Sequence, residues 1–433
     1  MPSTLTAPGT APVAERPAHR DPNVLRWLAA YTSSMIGDSV YYIALSWAAV
    51  QTGSPSQAGV VMAVSALPRA LLMLGGGVIA DRLGPRRVVI GSDAVRCAAV
   101  LAVAGLLFLT TPGLWPLAAL ALVFGTVDAV FMPAVGALPA RVTTRGQLAR
   151  VQGMRGLGIR FASVVGAPLG GLAVAVGGAA AAFGLAGLLI AVSLPLLIAV
   201  RVRELPADDT PADDTPADDT PADDTPAARR GTAWRDLTGG LGYIRRHRVL
   251  APLILAIALG DLGFVGPLNV GLTLLADERG WGASGMGWVL AGFGVGAGAV
   301  SLLLTVRGRL PRAGQVAGWA ILAGSCAIGA LAFVPGVAAA VGVALLIGLL
   351  AGLSGAMCGA LLQTQTDAAY LGRVTAVSGL VSLGFAPLSM PLSAAAIGLW
   401  GTGPVFVASA AVCGLGGVIA LSVPGLRRAE LPK

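Results

Sequence analysis

Apolar residues run for twenty or more positions at a time along this chain, and short polar turns separate the runs. A helix rises about 1.5 Å per residue, so about 20 apolar residues cross a hydrocarbon layer about 30 Å thick. That ruler predicts twelve membrane helices, at roughly 26–50, 57–80, 88–110, 114–139, 149–175, 179–200, 250–275, 285–306, 314–334, 337–360, 375–398 and 404–423. The narrowest divisions are Gly177-Gly178 and Pro335-Gly336. Residues 1–25 are rich in Pro, Ala and Thr and lack an apolar core, which predicts a disordered tail and no cleaved signal peptide.

The polar turns set the orientation. With the N-terminus in the cytoplasm, the loops and tails assigned inside hold 24 of the 29 Lys and Arg residues. Arg279 is then the only basic residue in an outside loop. Cytoplasmic loops carry the excess of Lys and Arg, so both termini are expected in the cytoplasm, with the chain in the cytoplasmic (inner) membrane.

Composition agrees with lipid as the main solvent. Charged residues make up 12% of the chain, against about 25% in soluble domains. The net charge of +8 raises the question of nucleic acid, but the basic residues fall in short clusters between apolar runs. The four cysteines each stand alone in an apolar run, and the two histidines lie in polar segments. A disulfide framework, a metal site and His-based catalysis therefore find no support. No phosphate-binding Gly-x-x-x-x-Gly-Lys loop exists, because the only lysine is Lys433. Gly292, Gly294, Gly296 and Gly298 lack the surrounding strands of a dinucleotide site and read as close-packing positions on a membrane helix.

Between the sixth and seventh runs, residues 201–248 form the longest polar stretch. Pro-Ala-Asp-Asp-Thr occurs four times in succession from Pro206 to Thr225. Proline at every fifth position and paired aspartates predict a flexible acidic linker; a Ca²⁺ loop would need a glycine turn and a ligand spacing that are absent. Trp234, Leu237, Leu241 and Ile244 then recur at helical spacing among Arg235, Arg245, Arg246 and Arg248, which predicts a basic amphipathic helix at the membrane surface.

Shifted by 223 positions, the two parts of the chain match in places. Gly37-Asp38 falls on Gly260-Asp261, and Pro168-Leu169 on Pro391-Leu392. Six helices (26–200), a linker (201–248), six more helices (249–423) and a short tail (424–433) make a parallel repeat.

The turn at residues 77–87 organises the first half. Gly77, Asp81, Arg82, Gly84, Arg86 and Arg87 resemble motif A of the major facilitator superfamily, which lies between helices two and three; Pro85 stands where that family usually has another basic residue. Gly37-Asp38, Leu67-Pro68-Arg69, Met132-Pro133 and Gly372-Arg373-Val374 are similar to the drug:proton antiporter branch that contains macrolide-efflux proteins and the enterobactin exporter. In the fifth run, Gly166, Pro168, Gly170 and Gly171 resemble the Gly-Pro-rich motif C of antiporters, with Ala167 interposed. The resemblance implies an all-α membrane protein, twelve helices in two six-helix halves, that exports a drug or metabolite in exchange for protons by alternating access. It implies a substrate cavity near the midplane and a gating role for the motif A hairpin. Asp81 would lie near the start of a helix of the other half, and the arginines would reach acids such as Asp128.

Charges inside the membrane segments are the candidate chemistry, since an ionised group there costs about 2.5–3.5 kcal/mol or more and needs a partner or water. Asp38 and Asp261 occupy matching places in helices one and seven and are the proton-coupling candidates, with a structural contact to a neighbouring arginine as the plainer alternative. Asp93 and Arg96, three apart, can pair on one helix. Asp128 can pair with Arg155 or Arg160, as a gate or as packing. Arg69 either meets Asp38 or faces substrate. Tyr41, Tyr42 and Trp288 read as interface anchors or as cavity walls. The expected partners are lipid, a small-molecule substrate and protons, acting on a monomer with no cofactor, metal or nucleic acid. The rival readings are an importer or facilitator of the same fold and, in another class, a membrane enzyme or sensor, for which no polar catalytic cluster is visible.

Overall fold

The computed structural model describes residues 17–111, 113–144, 147–202, 239–307, 311–367 and 370–430. The Pro-Ala-Asp-Asp-Thr repeats, Trp234 and Leu237 lie outside the described residues. So do the side chains of residues 70, 73–78, 80 and 81.

The described chain is helical. In order come α1 (Pro22–Thr52), α2 (Pro55–Leu83), α3 (Pro85–Leu109) and α4 (Trp115–Val142). One helical stretch, Leu148–Ala199, breaks at Gly177 and Gly178 into α5 (148–176) and α6 (179–199). Gly178 has φ +69°, a left-handed conformation that favours glycine, so the break falls where the sequence placed it. The second set is α7 (Leu250–Glu278), α8 (Gly282–Arg307), α9 (Ala313–Leu331), α10 (Val337–Thr364), α11 (Leu371–Trp400) and α12 (Thr402–Ser422). Among the described residues, nine helical stretches are long and apolar enough to cross a membrane, the hinged Arg150–Ala199 stretch being one of them.

Local chemistry explains the boundaries. Asp21 caps α1 by accepting from the Asn23 amide at 2.8 Å, with Pro22 at the first helical position. Ser54 and Gln57 form a reciprocal capping box at α2. The hairpin between α2 and α3 is tighter than the gap between the runs read at 57–80 and 88–110. Helix α2 runs through Leu83, α3 starts at Pro85, and Gly84 alone (φ +84°) reverses the chain. Proline at the first helical position explains why Pro85 fits there. Helix α7 carries a π-helical turn at Pro267–Gly271, where proline supplies no N–H to the regular ladder.

Helix–helix packing uses small residues. A Cβ on Gly125 of α4 would stand 2.1 Å from the Ser65 carbonyl of α2, and one on Gly348 of α10 would stand 2.0 Å from that of Phe293 in α8. Gly166 and Gly170 bring α5 against Ser39, Val40 and Ile43 of α1. Gly292 and Gly296 place α8 on α10. Without a hydrophobic drive inside lipid, such close backbone approach supplies the packing.

The halves meet along α2–α11 and α5–α8. The contacts concentrate at the end that carries the α1–α2, α5–α6, α7–α8 and α11–α12 turns. There Gly59 lies against Pro391 and Ala394, and Gly171 against Ala283 and Ser284. Ser46 and Thr273 hydroxyls meet at 2.5 Å, and Gln51 donates to Asp277 at 2.6 Å. At the opposite end Leu71 of α2, Leu157 and Phe161 of α5 and Leu302 of α8 are exposed. Before α7, residues 239–246 form a short helix with Ile244 buried and Arg245 and Arg246 exposed. Tyr243 there donates to Asp367 at 3.0 Å, and burial pushes its phenol up from the ordinary value.

Candidate functional site

Three helices of the first half converge on one guanidinium. The Arg96 side chain, on α3, is 0% exposed. Its Nη1 donates to both carboxylate oxygens of Asp38 on α1, at 3.0 and 2.8 Å, and to Oδ1 of Asp128 on α4 at 3.3 Å. Its Nη2 donates to the Ser34 hydroxyl at 3.1 Å and to Asp93 one turn away. Ser193 of α6 donates to the other Asp93 oxygen. The Phe131 ring covers the guanidinium, 4.0 Å from centroid to Cζ.

This cluster joins residues that the sequence kept in separate pairs. Asp93 and Arg96 meet as their spacing implied. Asp38 meets Arg96, not Arg69. Asp128 meets Arg96 and, at 4.0 Å, Arg69 of α2, and makes no pair with Arg155 or Arg160 among the described residues. Arg155 instead lies over the Tyr31 ring at 5.3 Å. The reason is geometric: α5 packs on α1 and α8, while α3 and α4 pack on each other and present Arg96 and Asp128 to the same interior.

Two cavities flank the helices. The smaller, about 270 Å³, is lined by Tyr42 of α1, Met62, Ser65 and Arg69 of α2, Asn269 of α7 and Met390 of α11, so both halves contribute. Tyr42 donates to Asp128 at 3.4 Å, which joins the cavity wall to the cluster. The larger, about 440 Å³, lies within the second half, with Asp261, Phe264, Phe293 and Gly324 on its wall and Arg160 of α5 reaching it from the first half. Asp261 accepts from the Ser382 hydroxyl at 2.6 Å.

Other candidates fall elsewhere. Tyr41 is fully buried and stacks on Phe124 with ring centroids 3.6 Å apart, so it lines neither cavity. Trp288 is 58% exposed and also lines neither. In the hairpin, Arg82 and Arg87 are exposed, and Arg86 donates to the Ile198 carbonyl near the end of α6 at 2.6 Å. Among the described residues, no hairpin arginine pairs with Asp128. Gly77 and the Asp81 side chain lie outside the described residues, so the proposed contact of Asp81 does too. Pro168 and its glycines line the α5 contacts with α1 and α8. Among the described residues there is no group of three His, Cys, Asp or Glu placed to hold a metal.

Sequence reading missed the larger cavity and the serines at Asp93 and Asp261. Ser34 lies one turn before Asp38 and was a readable hint; Ser382, 121 positions from Asp261, was not.

A sequence profile of the Major Facilitator Superfamily matches residues 27–386. No curated protein sequence is significantly similar to this chain. Among solved structures, the chain is similar to a POT family transporter, PepTSo, with TM-score 0.71, 13% identity and 94% and 98% of the two chains covered. It is also similar to the nucleoside transporter NupG, with TM-score 0.70, 11% identity and 93% and 100% covered. A third similar structure is a POT family transporter in complex with 5-aminolevulinic acid, with TM-score 0.68, 12% identity and 93% and 96% covered. At such identities the likeness is one of fold.

Proposed function

We propose that this chain, which belongs to the Major Facilitator Superfamily, is a secondary active transporter that exports a small organic molecule across the cytoplasmic membrane in exchange for protons. Membership supplies the fold and the transport of a small solute. The observation that carries coupling is the buried cluster joined to a cavity shared by both halves. Three carboxylates face the fully buried Arg96, with Arg69 only at 4.0 Å from Asp128. Buried charge without compensation is costly, so a proton gained or lost changes the charge balance of the cluster. Tyr42 and Arg69 both touch Asp128 and line the shared cavity, so substrate there senses that balance.

The contacts between halves support alternating access. With the hairpin end in the cytoplasm, the sealed end is extracellular and the splayed end opens inward. Among the described residues, neither Arg82 nor Arg87 pairs with an acid of the other half, as expected of a latch before it engages. Export rather than import rests on the resemblance of Gly166, Pro168, Gly170 and Gly171 to the antiporter motif.

The test is expression in an efflux-deficient host, with a compound panel screened for proton-gradient-driven extrusion. Asp38→Asn is expected to abolish gradient-driven extrusion while keeping expression and fold. Uptake without extrusion would remove the exporter reading, and unchanged gradient-driven transport in Asp38→Asn would remove the coupling role.

A further inference from the structure

The larger cavity occupies, in the second half, the place of the arginine cluster in the first. Helix α3 begins at Pro85 and α9 at Ala313, and the eleventh residue beyond each start is Arg96 in one and Gly324 in the other. The buried faces agree in that register: Val89, Asp93, Cys97 and Val100 correspond to Ala317, Ile321, Ser325 and Ile328, and all eight are buried. Gly125 and Gly348 anchor α4 against α10, because each meets a carbonyl of the neighbouring helix in the same way. In that register Asp128 corresponds to Ala351 and Phe131 to Ser354. Asp38 corresponds to Asp261. Ile321, Gly324, Ala351, Ser354 and Asp261 all line the cavity.

The two sites therefore share one carboxylate and differ in what faces it. In the first half a guanidinium fills the space. In the second half the equivalent residue is glycine, α9 has no charged residue, and the space is open. Among the described residues no basic side chain pairs with Asp261, and its hydrogen-bond donor is the neutral Ser382 hydroxyl. The rings of Phe264 and Phe293, 5.7 Å apart, face the same volume. The other ionisable wall groups are Cys358, Cys413 and Arg160, the last exposed. The volume of about 440 Å³ is of the size that holds small organic ligands.

We propose that this cavity binds a cationic amphiphile, a guanidinium or ammonium carried on an apolar or aromatic body, whose cationic group faces Asp261 in the space that Arg96 fills in the other half. A carboxylate in an apolar cavity gains most from a mobile cation that brings its own charge, and the two phenylalanines add cation–π attraction and apolar contact. The site is separate from the cavity lined by Tyr42 and Arg69. It deepens the reading of this chain as a carrier of small organic molecules and rests on it for the consequence that such cations are cargo.

Binding is measured on purified protein in detergent, without a gradient, using phenethylguanidinium and its neutral isostere phenethylurea in calorimetric titrations. Phenethylguanidinium is expected to bind at least about tenfold more tightly than the urea, and Asp261→Asn is expected to erase that preference. Gly324→Arg restores the arrangement of the first half. Its Cβ has ordinary contact distance to Leu350, 3.4 Å, so the backbone tolerates it. It is expected to exclude phenethylguanidinium even where Asp261 is intact. Equal affinity for the two probes, or an undiminished preference in Asp261→Asn, overturns the proposal. Guanidinium-selective binding by a protein that extrudes none of the panel supports this site and counts against the export reading alone.

Discussion

Arg96 Nη1 grips both carboxylate oxygens of Asp38, at 3.0 and 2.8 Å, from a side chain with no exposed surface. That pair ties α3 to α1; the same nitrogen also reaches Asp128, and Nη2 ties in Asp93 and Ser34. One guanidinium therefore holds three helices of the first half together.

Removing it leaves the buried Asp93 and Asp128 and the partly buried Asp38 facing one another. Arg96→Met is expected to lower stability by about 3–5 kcal/mol, the usual cost of breaking a buried ion pair from one side. Arg96→Lys is expected to recover only part of the loss, because one ammonium cannot reproduce a planar fork that reaches three acids. Thermal unfolding of the purified protein in detergent reads both.

Asp93 and Asp128 are expected to separate structure from transport. Asp93 is 1% exposed and bonded to Arg96, Ser34 and Ser193, all within the cluster. Asp128 is the member that reaches Tyr42 and Arg69 on the shared cavity. Asp93→Asn is expected to reduce stability more than transport per folded molecule. Asp128→Asn is expected to do the reverse. Transport assays normalised to folded protein, together with melting curves, check the contrast.

The backbone contacts at Gly125 and Gly348 predict a matched pair of defects. A methyl group at either position collides with a carbonyl of the neighbouring helix at about 2 Å, so Gly125→Ala and Gly348→Ala should each cost about 1–3 kcal/mol as overpacking. Gly136→Ala and Gly342→Ala, in the same two helices, meet nothing within 4 Å and should be neutral or slightly stabilising. Melting temperatures of the four variants test this directly.

Gly171 closes the sealed end by letting α5 touch α8, with its Cβ position 2.4 Å from the Ala283 carbonyl. Gly171→Leu is expected to wedge the halves apart there and favour the state in which the hairpin end is closed. In a background with Cys326, Cys358 and Cys413 changed to serine, a membrane-impermeant thiol reagent should then label Arg160→Cys more slowly when Gly171→Leu is added. An unchanged labelling rate would count against the wedge.

The sequence by itself determined the number of apolar runs, the hinge at Gly177-Gly178, the hairpin at residues 77–87 and the identity of the charges inside the membrane. Those features are local. Run length, glycine and proline chemistry and the cost of burying charge are read along the chain without knowing its neighbours. The partners of those charges were decided only by tertiary structure, because a pair such as Arg96 and Asp128 depends on which faces of α3 and α4 meet. The same holds for Tyr41, whose aromatic ring suited an interface or a cavity until Phe124 took its face. The cavity around Asp261 was the least legible. A space has no residue of its own, and Gly324 marks one only when α9 is laid against α3 and the missing guanidinium becomes visible.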